Sequence, residues 1–164
     1  MAKNTQKEDN FEEKVLFVNR CAKVVKGGRK FSFSALILVG DKNRERQCVG
    51  YGFGKANELS DAIKKGGEAA RKSLITFELE GDTIPHEIFV NYDGAKLLLK
   101  PAPPGTGIIA GSKIRAILEF AGIKDVVAKC MGSNNPINQV KAAFEALKSL
   151  LSKEQVMQMR GVGP

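Results

Sequence analysis

Two glycine-rich stretches in this chain of 164 residues could handle phosphate. The first is Lys26-Gly27-Gly28-Arg29, where adjacent glycines permit positive φ and leave backbone amides bare, with a cationic side chain at each end. The second, Pro101 to Gly111, is rigid and then flexible, and it leads into Ser112, Lys113 and Arg115. Free amides at a helix start bind anions. A nucleotide-binding loop, however, needs GxxxxGK[ST], whereas Gly107 and Gly111 enclose three residues and Ser112 precedes Lys113. The nearest acids along the chain, Asp93 and Glu119, are not obvious magnesium ligands. Cys21, Cys48 and Cys130 form no CxxC pair and His86 is the single histidine, so no zinc set can be read. His86 follows Pro85 in an expected loop and reads as a surface residue. Without paired carboxylates or a Cys/His arrangement, the expectation is a protein that is not an enzyme and needs no cofactor or metal.

Charge supports binding over catalysis. Lys and Arg number 26 against 18 Asp and Glu, a net charge of +8, which favours an anionic partner and makes nucleic acid the first suspect. Lys14 to Gly40 holds Lys14, Arg20, Lys23, Lys26, Arg29 and Lys30 without one acid. A merely solvated surface predicts mixed signs, so a strip facing phosphates is the better reading. The longest apolar run, Ala35 to Val39, is far short of the roughly 20 residues that span a bilayer, so no membrane partner is expected. The polar opening residues resemble neither a secretory signal nor a transit peptide, and an odd number of cysteines suits reduced thiols in a cytosol.

The elements that must position these residues are legible from periodicity. Phe31, Phe33, Ala35, Ile37 and Val39 alternate with Lys30, Ser32, Ser34, Leu36 and Leu38, a strand whose first set is expected to face a core. Val15 to Val25 is also strand-like, which makes Lys26 to Arg29 a hairpin tip. A third strand is expected over Gln47 to Lys55. Its Gly50-Tyr51-Gly52-Phe53-Gly54 run has one aromatic face and one with no side chains, so the following helix or an RNA backbone must come close. Leu59, Ala62, Ile63, Gly66, Ala70 and Leu74 recur at helical spacing, with Lys64, Lys65, Arg71 and Lys72 on the outer side. In the second half, strands are expected over Ile84 to Tyr92 and Ala95 to Lys100 around the turn Asp93-Gly94, and over Asp125 to Met131. One helix carries Ile114, Ile117, Leu118 and Ala121. Asn135 and Pro136 start another, with Ile137, Val140, Phe144, Leu147 and Leu151 as its apolar stripe. The expected division is a polar tail over 1–10, domains over 11–80 and 81–153, and a tail over 154–164.

Four segments in this order, VNRCAKVVKGGRKFSFSALILVGD at 18–41, GYGFGKANE at 50–58, PGTGIIAGSKIRAILEFAGIKDVVAK at 104–129 and GSNNPIN at 132–138, closely resemble the bacterial small-subunit ribosomal protein S-five family. The resemblance implies an α+β protein of two small domains. One is a double-stranded-RNA-binding-like sheet plus helix; the other is a C-terminal domain containing a βαβ unit with a left-handed crossover, against the usual right-handed rule. It implies a structural constituent of the small ribosomal subunit, cytoplasmic and in the ribosome, that binds rRNA and supports subunit assembly. Its partners in the family are small-subunit rRNA, ribosomal proteins S-four and S-eight, and mRNA near the entry path.

By this resemblance the hairpin contacts to rRNA fall on Lys23, Lys26, Gly27, Gly28, Arg29 and Lys30, and Arg20, Lys55, Lys64 and Arg71 complete the candidate RNA-binding set. Thr106, Gly107 and Arg115 take the interface with protein S-four, which the family links to decoding accuracy. Two departures stand out: the loop Lys42 to Val49 is longer than the short turn usual in the family, and neither the polar N-terminus nor the Gly161 to Pro164 end matches a family pattern. The rival from another class is a phosphate-binding small-molecule kinase-like enzyme, since the second domain's fold, by resemblance, also occurs there. A free RNA-binding regulator outside the ribosome would share every basic feature and differ only in partner.

Overall fold

The computed structural model describes residues 11–41 and 47–161. The expected tail over 1–10, most of the lengthened loop (42–46) and the end at 162–164 lie outside the described residues. The chain forms two compact units, the second beginning at Thr76. This junction falls before the expected 80/81. The backbone bridge Glu80 to Thr83 and the Asp82 carbonyl, which accepts N–H bonds from Lys124 and Asp125, tie the segment to the second unit.

The first unit is a four-stranded sheet in the order β1 (Phe11–Val25), β2 (Gly28–Asp41), β3 (Cys48–Ala56) and β4 (Ile75–Thr76), with α1 (Leu59–Lys72) on one face. The alternation in β2 buries Ala35, Ile37 and Val39 against Ala62 and Ala70 of α1, and Phe33 packs at their edge. Leu36 and Leu38, on the opposite face, are buried as well. Phe31 departs from the expected core set: β3 pairs with β2 only as far as Phe33↔Ala56, so Phe31 lies beyond the covered sheet and is exposed.

The aromatic-glycine run in β3 resolves in favour of the helix. A Cβ on Gly50, Gly52 or Gly54 would overlap the carbonyl oxygens of Ala70, Gly66 and Ala62 respectively, so helix backbone occupies the side of β3 that lacks side chains. Gly66 answers from the helix, where a Cβ would come to 2.6 Å from Ile37. Small residues on both elements therefore set how closely α1 can lie on the sheet.

The second unit pairs β5 (Ile88–Tyr92), β6 (Ala95–Pro101), β8 (Val126–Gly132) and β7 (Ile108–Ile109) in that order. The segment β7, α2 (Ser112–Phe120), β8 is a βαβ unit, because β7 and β8 are parallel neighbours. Helix α3 (Pro136–Lys148) packs on β5 and β6, and α2 packs on α3. Asp93 and Gly94 both take positive φ, 45° and 77°, as a tight two-residue hairpin requires. Asn135 caps α3 by accepting the Ile137 N–H at 3.2 Å, with Pro136 following. Sheets with helices packed on them in two units make the fold α+β.

One expected boundary is corrected. The strand expected from Ile84 begins at Ile88: Ile84 is buried but outside the ladder, and Pro85 has no N–H to give it. The expected tail over 154–164 contains a helix, α4 (Lys153–Met159). A reciprocal capping box starts it, with Ser152 Oγ accepting the Gln155 N–H at 3.3 Å and Gln155 Oε1 accepting the Ser152 N–H at 3.1 Å.

Candidate nucleic-acid interface

Beyond the last β2–β3 pair, β1 and β2 continue alone as a two-stranded ribbon, from Cys21↔Ser32 to Val25↔Gly28. At about 3.3 Å per residue this arm extends on the order of 15 Å. Lys26 and Gly27 form its turn. Gly27 and Gly28 have φ of 94° and 146°, and a Cβ on either would meet nothing within 4 Å. The glycines are therefore needed for backbone conformation, and the tip they form is surrounded by open space.

Register sorts the basic side chains onto two faces. Lys23 stands directly opposite Lys30, with Cys21 and Ser32 one step behind on the same face. Lys55 pairs with Ser34 and so shares that face, beside the half-exposed Phe53. On the other face, the Arg20 guanidinium lies 3.8 Å from the centre of the Phe31 ring. Arg29 pairs with Val24, whose side chain is 77% exposed. Like charges placed directly across a ladder weaken it, and a lone two-stranded hairpin is only marginally stable in water. The Lys23–Lys30 pair is thus unfavourable for the isolated ribbon and becomes favourable when an anion sits between the ammonium groups.

The ribbon and its approach gather eight of the ten candidate RNA-binding residues: Arg20, Lys23, Lys26, Gly27, Gly28, Arg29, Lys30 and Lys55. Lys64 and Arg71 sit apart on α1. Lys64 is exposed, but Arg71 bonds Glu13 of β1 at 3.1 Å, and that carboxylate lies over the small surface of Gly67. Its guanidinium ties helix to sheet. The exposed aromatics Phe31 and Phe53 were not among the expected site residues. Phe31 reads as a core-type strand residue until the register shows that it lies past the end of β3, whereas Phe53, on the aromatic face of β3, is 50% exposed.

The glycine-rich loop of the second unit is built differently. Gly105 and Gly107 take φ of 88° and 75°. Thr106 Oγ1 donates to the Pro103 carbonyl at 2.7 Å, the Gly107 N–H donates to Asp125 Oδ1 at 2.7 Å, and the Gly107 carbonyl accepts from Val126 N at 3.2 Å. These groups fasten the loop to the start of β8 and do not cradle a phosphate. Arg115, largely exposed, lies 3.7 Å from Glu119 one turn along α2. Thr106 and Gly107, both half-buried, therefore shape this loop, and Arg115 is the most exposed of the trio.

Sequence reasoning also missed two anchors. Lys124 Nζ bonds Asp82 Oδ1 at 2.8 Å, and that hydrogen bond and charge hold the ammonium pKa above its ordinary value. His86, expected simply at the surface, is half-buried: Nε2 accepts the Leu151 N–H at 3.2 Å and Nδ1 faces the Glu87 carbonyl at 3.0 Å. The ring thus joins the approach to β5 with the segment that follows α3. Among the described residues, no three His, Cys, Asp or Glu side chains gather as a metal set, and no helix is long and apolar enough to cross a membrane.

Comparison with known proteins agrees with this architecture. Residues 11–78 match the family model for ribosomal protein S5, N-terminal domain, and residues 90–160 match ribosomal protein S5, C-terminal domain. The chain is 71% identical over 164 residues to the small ribosomal subunit protein uS5 of Chlamydia abortus, covering 99% of this chain and 97% of that protein. It is 66% identical over 163 residues to the uS5 protein of Chlamydia trachomatis serovar D, with the same coverage. With that of Protochlamydia amoebophila it shares 64% over 171 residues, 99% of this chain and 100% of the relative. Both domains are matched in order and the relatives align from end to end, so the chain belongs to the ribosomal protein S5 family.

Proposed function

We propose that this protein is a structural constituent of the small ribosomal subunit and grips rRNA with the β1–β2 ribbon. The observation that carries this reading is the cross-strand pair Lys23–Lys30 beneath an open Gly27-Gly28 tip, an arrangement that costs stability in the free protein and suits a bound phosphate. Cationic side chains displace counterions from RNA, so affinity falls steeply with salt. The bare tip lets backbone amides approach where side chains would obstruct. Folded RNA has a deep, narrow major groove, so shape and backbone are read more than sequence. The protein thereby favours one conformation of an RNA junction, which is how it supports assembly.

By resemblance to the family we also propose finer roles. Thr106, Gly107 and Arg115 face protein S-four and bear on decoding accuracy; other surfaces meet protein S-eight and border the mRNA entry path. The fixed shape of the 105–107 loop and the exposure of Arg115 support an interface there. No catalytic role is assigned, since the loop amide of Gly107 is already held by Asp125.

Sucrose-gradient sedimentation of lysate at moderate and high salt, with the protein followed by immunoblot, tests the assignment. Co-migration with small subunits that survives the salt wash is expected, with incorporation weakened more by Arg29→Glu than by Lys153→Glu. Finding the protein only among free proteins at both salt levels, or equal effects of the two reversals, overturns it.

A further inference from the structure

Strand β1 carries one residue more than its partner. Val15 pairs with Ile37 and Phe17 with Leu36, which are neighbours on β2, so Leu16 has no partner of its own and the ladder bulges there. Side chains change faces at that point. Glu13 and Val15 lie opposite Val39 and Ile37, on the face that packs against α1. Phe17, Asn19, Cys21 and Lys23 lie opposite Leu36, Ser34, Ser32 and Lys30, on the other face. The extra residue also sets the charges of the ribbon. If the pairing of Phe11 to Val15 simply continued, Lys23 would stand against Arg29 and Val24 against Gly28, leaving Val25, Lys26 and Gly27 as the turn. With Leu16 left out of the ladder, Lys23 meets Lys30 and the turn closes on Lys26 and Gly27.

We propose that Leu16 is a positioning residue: the bulge it creates fixes the direction in which the ribbon carries the Lys23–Lys30 pair to the phosphates of rRNA. The inference rests on the ribbon reading above and adds what aims the ribbon. A bulge bends its strand, increases the local right-handed twist and is a common means of redirecting side chains. Here it stands between a fixed end and a projecting one. Before it, Arg71 of α1 bonds Glu13 at 3.1 Å, and the Glu13 carboxylate lies over Gly67. After it, β1 is an edge strand paired with β2, and beyond Arg20↔Phe33 the pair runs past the end of β3. Phe17 to Val25 spans roughly 25 Å of strand, so a small bend at Leu16 becomes a large displacement at the tip. Blunting an exposed edge is the other common use of a bulge, but Glu12, Glu13 and Lys14 already put charges on this edge. Leu16 acts by adding a residue to β1, so the count matters and the side chain does not.

The test is deletion of Leu16 in the full chain, which makes Val15↔Ile37 and Phe17↔Leu36 consecutive pairs and so keeps every pair and every charge while removing the bend. It is compared with Leu16→Ala, which keeps the extra residue, with the ribbon pair Lys23→Gln and Lys30→Gln, and with the deletion and the ribbon pair combined. Binding to an in vitro transcript of small-subunit rRNA is measured across a salt series, and a urea midpoint with hydrogen exchange of the ribbon amides verifies that each variant folds. Loss of two phosphate contacts in the ribbon pair lowers the slope of log affinity against log salt by about 1.5. The deletion is expected to weaken binding and lower the slope in the same way, while Leu16→Ala binds as the parent does. The combined variant is expected to bind no more weakly than the ribbon pair, because a misdirected ribbon has no contacts left to lose. A folded deletion variant that binds as the parent does, or losses that simply add, overturns the inference. It is equally overturned if the deletion variant keeps its RNA affinity but self-associates in sedimentation velocity, which would make the bulge a guard of the edge. Should the deletion variant not fold, residual dipolar couplings of the parent decide: one alignment for ribbon and sheet supports a fixed direction, and independent motion of the ribbon overturns it. If the ribbon pair itself leaves binding unchanged, the ribbon reading fails first and takes this one with it; every other outcome leaves that reading standing.

Discussion

The carboxylate of Asp125 accepts the backbone N–H of Gly107 at 2.7 Å, holding a loop 18 positions earlier in the chain. The Asp125 N–H itself donates to the Asp82 carbonyl at 3.1 Å, so one buried residue fastens two loops just ahead of β8. A carboxylate bonded to a backbone amide is worth about 1.5–3 kcal/mol, and removing it strands the partner. Asp125→Ala is therefore expected to lower stability by about 2 kcal/mol in urea unfolding, with Asp125→Asn recovering part through its carbonyl. An alanine variant as stable as the parent would show that the loop holds itself.

The glycines of β3 make a sharper prediction because of what they meet. A methyl at Gly52 has backbone in front of it, the Gly66 carbonyl and the Ala70 nitrogen, and neither can yield as a side chain tip would. Gly52→Ala is expected to cost about 3 kcal/mol or more, by forcing α1 off the sheet. Gly27→Ala has open space and suffers only from its positive φ, about 1 kcal/mol. Equal losses in thermal unfolding would contradict close packing of helix on strand.

The Lys124–Asp82 pair carries a pH signature. The Lys124 pKa is raised, so the pair's contribution is fully present below the ordinary lysine value of 10.5 and is lost as pH rises through the higher folded value. Because the ammonium is exposed, the effect on global stability is expected to be small. It is best read by following the Lys124 side chain by NMR, where it should titrate above the ordinary lysine value and return towards it in Asp82→Asn. Unchanged titration in that variant would remove Asp82 as the cause.

The parts legible in the sequence were those set by local rules. Asn135-Pro136 announced its helix start, Asp93-Gly94 its turn, and the β2 alternation its core, since each depends on a few neighbours. The Gly50 to Gly54 run announced that something comes close but not what, because helix backbone and RNA backbone make the same steric demand. Register was not legible. That Lys23 faces Lys30, that Phe31 lies past the end of β3, and that Phe89, Leu98 and Lys129 form a row all depend on pairing between distant segments. Helix α4 has a readable start signal in Ser152 and Gln155, but none of its residues is buried, so no apolar stripe marks its length.

Reversing one charge in the ribbon should separate stability from function. In the parent, Lys23 and Lys30 repel across the ladder, so Lys30→Glu replaces a like pair with an opposite one and is expected to stabilise the free ribbon by a few tenths to about 1 kcal/mol. The same change puts a carboxylate where a phosphate should sit. Binding to rRNA is therefore expected to weaken, with a shallower salt dependence because a phosphate contact is lost. Hydrogen exchange of the ribbon amides reads the first effect and rRNA titration the second. The two must move in opposite directions. If Lys30→Glu weakens both, the lysine pair serves the fold of the arm itself, and the case for an anion held between Lys23 and Lys30 falls.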